Sequence, residues 1–163
     1  MRLILKLVVN IKKQTLCCYS NDEIIHQYCI STAKNGVGEL NGSECTPRGK
    51  HVIRAKIGKN AVANTIFVAR RPTGEIFSEE LRQKFPKRDW ILTRILWLSG
   101  TEVGINRLGN VDTMRRFIYI HGCPDSDNMG APSSHGCIKM RNGDLVELFD
   151  KVSTGTQVII EEE

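Results

Sequence analysis

Residues 120–140 read Ile120-His121-Gly122-Cys123-Pro124-Asp125-Ser126-Asp127-Asn128-Met129-Gly130-Ala131-Pro132-Ser133-Ser134-His135-Gly136-Cys137-Ile138-Lys139-Met140. The tripeptide His-Gly-Cys occurs twice in this stretch. The whole chain has only four histidines and six cysteines, so the clustering is a chemical signal. A thiol becomes a useful nucleophile when an imidazole takes its proton, and a metal site draws on the same two side chains. The stretch therefore carries acyl-transfer chemistry or holds a metal.

Cys137 is the better nucleophile. Gly136 before it lets backbone N–H groups approach a developing oxyanion with no Cβ in the way. The small residues Gly130-Ala131-Pro132-Ser133-Ser134 leave the thiol open to a substrate. A free thiol has a pKa of about 8.5 and needs a base brought close by the fold. His121, at the end of the apolar strand Phe117–His121, is one candidate. His135 competes, but two residues from Cys137 its ring is poorly placed to take the thiol proton. In the metal reading, His121, Cys123, His135 and Cys137 together form a tetrahedral zinc site. The spacing argues against it, because zinc sites usually turn the chain around the ion with patterns such as C-x2-C.

Outward from this stretch, the 163 residues suit one domain spanning 1–163, with 40% hydrophobic and 25% charged residues. The net charge of +5 comes from 23 basic and 18 acidic residues. The basic residues, Arg54, Lys56, Arg70 and Arg94 among them, are dispersed without an aromatic or helix-turn-helix pattern, which speaks against a nucleic-acid partner. At the N-terminus Lys6 interrupts the apolar run and Asn10 ends it, with no small-residue cleavage site after it. Nothing reaches the length of a membrane span. A mature cytoplasmic chain is expected, the alternative being the periplasm or cell envelope. The cysteine spacings show no disulfide framework and suit a reduced compartment.

Alternation of polar and apolar residues predicts a strand over Leu3–Ile11; strand-like segments between turn clusters follow at Thr15–Tyr19 and Glu23–Thr32, with further strands at His51–Lys56, Thr65–Arg70, Trp90–Leu98 and Gln157–Ile160. The glycine-rich segment between Asn35 and Gly49 reads as loop. Ser78–Phe85 reads as a short helix capped by Ser78, and Asn142 as the cap of a helix over Gly143–Val152. The fold class is mainly β with two short helices, a sandwich or half-open barrel. Residues Gly100–Arg116 have mixed polarity and either cover the site or connect strands.

The pattern His121-Gly122, a loop, then Ser134-His135-Gly136-Cys137-Ile138 resembles the signature of the L,D-transpeptidase catalytic domain (YkuD-type). The Ser31-Thr32 strand end, Thr46-Pro47-Arg48-Gly49 and the helix near Asn142 resemble the family too, so the likeness covers about residues 3–160. It implies a β-sandwich-like catalytic domain that needs no cofactor. It also implies an acyl-enzyme on Cys137, formed at the bond between a diamino acid at position three of a peptidoglycan stem and D-Ala at position four. His121 is then the general base and acid, oriented by the Gly122 carbonyl. The N–H groups of Gly136 and Cys137 form much of the oxyanion hole, while Ser134 and His135 shape the pocket.

Two positions depart from the family. Lys139 stands where many members carry Arg or Asn; either Arg141 compensates in binding a carboxylate, or Lys139 faces solvent. Cys123 stands where Thr is frequent, as a packed small residue or as a redox partner of Cys137. With no export signal read, the resemblance points to the cytoplasmic L,D-carboxypeptidase branch, which passes the acyl group to water in wall recycling. The alternative is transpeptidation, joining two position-three residues or exchanging D-amino acids. The expected partners are stem peptides or muropeptides, and carbapenems are expected to acylate Cys137. A general cysteine protease acting on L,L-peptides is the further enzymatic alternative.

Overall fold

A computed structural model describes residues 4–163. Among the described residues, ten strands and two α-helices follow along the chain. β1 (Leu5–Asn10), β2 (Thr15–Ser20) and β3 (Glu23–Ser31) form a meander. β4 (Gly49–Ile57), β5 (Thr65–Val68) and β6 (Arg71–Ile76) come next, then α1 (Glu79–Lys84) and β7 (Ile91–Gly100). β8 (Tyr119–Gly122), β9 (Ile138–Met140), α2 (Asn142–Lys151) and β10 (Gln157–Glu161) complete the chain. Leu3, where the sequence pattern starts the first strand, lies outside the described residues.

The strands make one sheet in the order β4-β10-β1-β2-β3-β9-β8-β7-β5-β6. The mainly β class with two short helices holds, and the sheet goes beyond a half-open barrel. β4 bonds to β10 on one edge and to β7 on the other, so the ring from β4 round to β7 closes. Closure removes the exposed edges that an open sheet would present. The β5–β6 hairpin extends from the ring.

Alternation decides what fills the ring. Leu7 and Val9 of β1, Leu16 and Cys18 of β2, Ile120 of β8, and Ile138 and Met140 of β9 point inward into one buried cluster. Cys17 and Cys18 take opposite faces, with Cys18 fully buried. Leu145, Leu148 and Phe149 of α2 enter the same cluster. Each such side chain contributes about 1.5–3 kcal/mol on burial. Helix α1 begins as expected, with Ser78 Oγ accepting from the Leu81 N–H. Among the described residues no helix is long and apolar enough to cross a membrane.

Several elements differ from the sequence pattern. The strand expected over Thr65–Arg70 ends at Val68, because Ala69 and Arg70 turn with φ of 48° and 65°. Left-handed backbone costs a residue with a Cβ about 1–2 kcal/mol. The return strand β6 contains Pro72 and Gly74, which read as turn residues, yet an edge strand tolerates proline. Phe117 has φ of 57° and is exposed, so β8 starts only at Tyr119. Asn142 is the first residue of α2, not its cap; Arg141 occupies the cap position without a side-chain cap bond.

Candidate active site

β8 and β9 run parallel in the middle of the sheet, with His121 opposite Lys139 and Ile120 opposite Ile138. Side chains alternate, so Ile120 and Ile138 turn into the core while His121 and Lys139 share the outer face. Cys137 lies two residues before Lys139 and joins that face. The Tyr119 N–H donates to its sulfur at 3.3 Å, and the thiol reaches the Phe117 carbonyl at 3.4 Å. A cavity of about 470 Å³ opens over this face, lined by Cys137, His121, Tyr119, Ser134, His135 and Lys139 among others. The spacing of the two tripeptides is thus resolved by a parallel pair of strands and the crossover between them.

His121 is buried, and its Nδ1 lies 2.7 Å from the Gly122 carbonyl. A carbonyl only accepts, so Nδ1 carries the hydrogen and Nε2 of the neutral ring is left as a proton acceptor. Glycine is required at position 122. A Cβ there would come within 2.2 Å of Asn142 Oδ1 and 2.6 Å of the Leu92 carbonyl. Asn142 is a buried hub: Oδ1 accepts from Thr93 Oγ1 at 2.6 Å, and Nδ2 donates to the Cys123 carbonyl at 2.9 Å. Thr93 itself sits at φ of 75° in the bulge of β7 opposite His121. A β-branched residue at positive φ is an outlier held by its surroundings.

The loop before Cys137 is also pinned. Ser134 Oγ donates to the Cys137 carbonyl at 2.5 Å and accepts from the Gly136 N–H at 3.2 Å. The Gly136 N–H, expected in the oxyanion hole, is therefore already engaged within the loop. Gly136 adopts φ of 129°, and its carbonyl accepts from Thr46 Oγ1 at 2.9 Å. In a trans peptide the C=O and N–H point in opposite directions, so this bond turns the Cys137 N–H away from Thr46.

Electrostatics set the resting state. Burial pushes the Cys137 thiol up to about 12, opposed by the Tyr119 N–H and the charge of Arg116. Burial also lowers the His121 imidazole below its ordinary range, opposed by Asp89 and the Gly122 carbonyl. Both shifts favour the neutral thiol and the neutral ring.

Charged residues from distant segments complete the walls. Arg70, Asp89 and Arg116 line the cavity, and nothing in their local sequence marks them. Arg116 donates to the Gly38 and Cys45 carbonyls and to Ser43 Oγ, tying the 38–45 loop to the site. Residues Gly100–Arg116 are largely exposed, and Arg116 at their end forms part of the cavity wall. Lys139 lines the cavity but is paired with Asp127 at 3.0 Å and donates to Ser133 Oγ. Arg141 does not line it; its guanidinium donates to the carbonyls of Asp125 and Asp127 and holds that loop. His135 is exposed at the cavity.

Cys123 is buried with its thiol toward the Met140 carbonyl at 3.4 Å, away from the cavity. Among the described residues no three His, Cys, Asp or Glu side chains come together as a metal-ligand set. The four-ligand reading of the two tripeptides is therefore not formed by this fold.

Residues 5–160 match the family model of the L,D-transpeptidase catalytic domain, YkuD. The chain belongs to this family. Its relatives include "Probable L,D-transpeptidase YbiS" of Escherichia coli (strain K12), 44% identical over 43 residues, which are 26% of this chain and 14% of that protein. L,D-transpeptidase LdtMt1, solved in complex with imipenem, superposes with a TM-score of 0.59 at 21% identity, covering 98% of this chain and 59% of that one. L,D-transpeptidase 3 from Mycobacterium tuberculosis, solved with a faropenem-derived adduct, gives a TM-score of 0.60 at 16% identity, covering 98% and 61%. The YkuD chain thus spans less than two thirds of these proteins. At such identities the superpositions establish the shared fold.

Proposed function

We propose that this YkuD domain is a cysteine acyl-transfer enzyme that cleaves the bond between the position-three diamino acid and D-Ala in peptidoglycan stem tetrapeptides, with water as the acceptor. The observation that carries it is the placement of Cys137 and His121 on one face of the β8–β9 pair, both open to one cavity, with Nδ1 of the ring occupied by Gly122. The Cys137 sulfur attacks the carbonyl carbon as its proton passes to His121 Nε2. The C–N bond breaks, and the amine of D-Ala leaves with the proton from His121. Water then attacks the thioester, giving its proton to His121, and the thiol is restored as the C–S bond breaks. The Cys137 N–H, turned by the Thr46–Gly136 bond, is the backbone donor proposed for the oxyanion.

The charged side chains of Arg70, Asp89 and Arg116 in the cavity wall support water as the acceptor, because they make the lining polar. They also suit a soluble muropeptide bearing several carboxylates in a cytoplasmic setting. The Asp89 carboxylate favours one second reading, because it would receive the ammonium group of an amine acceptor in transpeptidation. Incubating the pure protein with a disaccharide-tetrapeptide and following products by mass spectrometry decides between them. Tripeptide with free D-Ala supports hydrolysis. D-amino-acid exchange products or crosslinked dimers support transfer. Absence of both overturns the proposal.

A further inference from the structure

Arg70 occupies the second left-handed position of the β5–β6 turn, with Ala69 occupying the first, and neither position holds the glycine or asparagine that such turns favour. The turn sends the Arg70 side chain into the wall of the cavity that holds Cys137. Its guanidinium lies over the Trp97 ring at 4.6 Å and over the Phe117 ring at 4.9 Å. Phe117 is itself left-handed, so strained backbone on both sides presents the cation and one of its aromatic supports. Nη1 donates to the Tyr119 hydroxyl at 2.9 Å. Among the described residues no carboxylate pairs with Arg70.

This is a fixed cation with donors to spare. A guanidinium has five N–H groups in a planar fork that matches a carboxylate. The Tyr119 hydroxyl accepts from Arg70, so its own hydrogen is free to donate. The backbone N–H of the same tyrosine contacts the Cys137 sulfur, and Arg70, Tyr119 and Cys137 line one cavity.

We infer that Arg70 and Tyr119 form a carboxylate-binding pair that anchors the substrate next to Cys137. The inference rests on the stem-peptide reading above. Two carboxylates of that substrate qualify: the terminal one on the leaving D-amino acid, and the side-chain one of the position-three diamino acid. The first lies on the residue next to the attacked carbonyl, one Cα step of about 3.8 Å along the chain. Anchoring the terminal carboxylate would confine cleavage to the last bond of the stem.

Alkylation of Cys137 tests the pair without any peptide. Iodoacetate carries a carboxylate and iodoacetamide does not, and the rate ratio on Cys137, read by peptide mass spectrometry, reports attraction of the anion. The ratio should fall several-fold in Arg70→Gln, fall in Tyr119→Phe, and hold in Arg54→Gln, which removes another cation lying over Trp97. An unchanged ratio in Arg70→Gln overturns the inference.

Peptide kinetics then identify the carboxylate. The wild type is compared on the tetrapeptide acid, its C-terminal amide, and the analogue with lysine at position three. Arg70→Gln should lose roughly tenfold or more in kcat/KM on the acid. It should also lose discrimination against the amide if the terminal carboxylate is bound, or against the lysine analogue if the side-chain one is. Equal slowing on all three peptides marks Arg70 as structural and overturns the inference. Should the wild type cleave none of them, the proposed function fails and the alkylation ratio alone judges the pair.

Discussion

Thr46 and Gly136 are joined across the site: the Thr46 hydroxyl donates to the Gly136 carbonyl at 2.9 Å while accepting the Ala33 N–H at 3.0 Å. The bond ties the long loop after β3 to the residue preceding Cys137. Thr46→Val keeps the shape and strands both backbone groups, each at a cost of about 1–3 kcal/mol. With the Gly136 carbonyl released, the Cys137 N–H loses its fixed direction. We expect kcat to fall on the order of 10²-fold and Tm to drop, with Thr46→Ser restoring both. Steady-state kinetics and thermal melts check this, and full activity in Thr46→Val would remove the residue from the site.

The core of the fold was legible because β1 and β2 bury alternate apolar residues and β7 is a long apolar, β-favouring run, and such patterns are what a sequence displays. That Cys137 and His121 line one cavity and that the Gly122 carbonyl meets the ring was legible because these residues are local to residues 120–140. Other features depend on the assembled sheet. β9 has only three residues, too few to show a period, and it exists because β3 and β8 flank it. Asn142 looked like a cap because its type suits one; the fold buries it against Thr93 and Gly122. Arg70, Asp89 and Arg116 reach one cavity from three segments, and no spacing rule links them.

Stability should have a plateau between two titrations. His51 is buried, with its ring nitrogens on the Gly49 carbonyl and Thr113 Oγ1, and burial lowers it from 6.5 to about 4. A folded pKa below the unfolded one gives stability that is present above 6.5 and lost as pH falls toward 4. His121 shifts in the same direction. At the other end, burial raises Cys123 from 9.0 to about 11 and Cys137 to about 12, so stability is lost as pH rises above 9. Tm measured from pH 4 to 10 should fall on both sides of this window, and His51→Gln should flatten the acid side. A Tm unchanged between pH 7 and 4.5 would contradict a neutral buried His51.

The resting pair of neutral thiol and neutral imidazole predicts a particular reactivity profile. Iodoacetamide alkylation of Cys137 should be slow at pH 7 and keep climbing past pH 9, since thiolate accumulates only toward 12. The acid limb of kcat/KM reports His121 and should lie below 6.5. A plateau of alkylation between pH 6 and 8 would instead indicate a preformed thiolate–imidazolium pair.

Asn142 supports His121 through Gly122 and the β7 bulge. Asn142→Leu leaves the Cys123 carbonyl and the Thr93 hydroxyl without this partner, costing about 1–3 kcal/mol for each group left unpaired. The larger side chain also crowds Gly122. We expect a lower Tm together with a loss of kcat that exceeds the change in KM, because the ring orientation is disturbed and the cavity is not. A drop in Tm with unaltered kcat would confine Asn142 to a structural role.

The two His-Gly-Cys copies should respond unequally to substitution. Cys137 lines the cavity that His121 also lines, whereas the sulfur of Cys123 is buried against the Met140 carbonyl. Cys137→Ser should therefore abolish turnover, because a serine hydroxyl beside a neutral imidazole is a far weaker nucleophile in a site shaped for sulfur. Cys123→Ser keeps a donor for the Met140 carbonyl and should retain most of the activity, with at most a modest loss of stability. A carbapenem should add its mass to the wild type and to Cys123→Ser, and not to Cys137→Ser. Intact-protein mass spectrometry reads all three. An adduct that survives in Cys137→Ser, or equal loss of turnover in both variants, would reverse the assignment of the nucleophile.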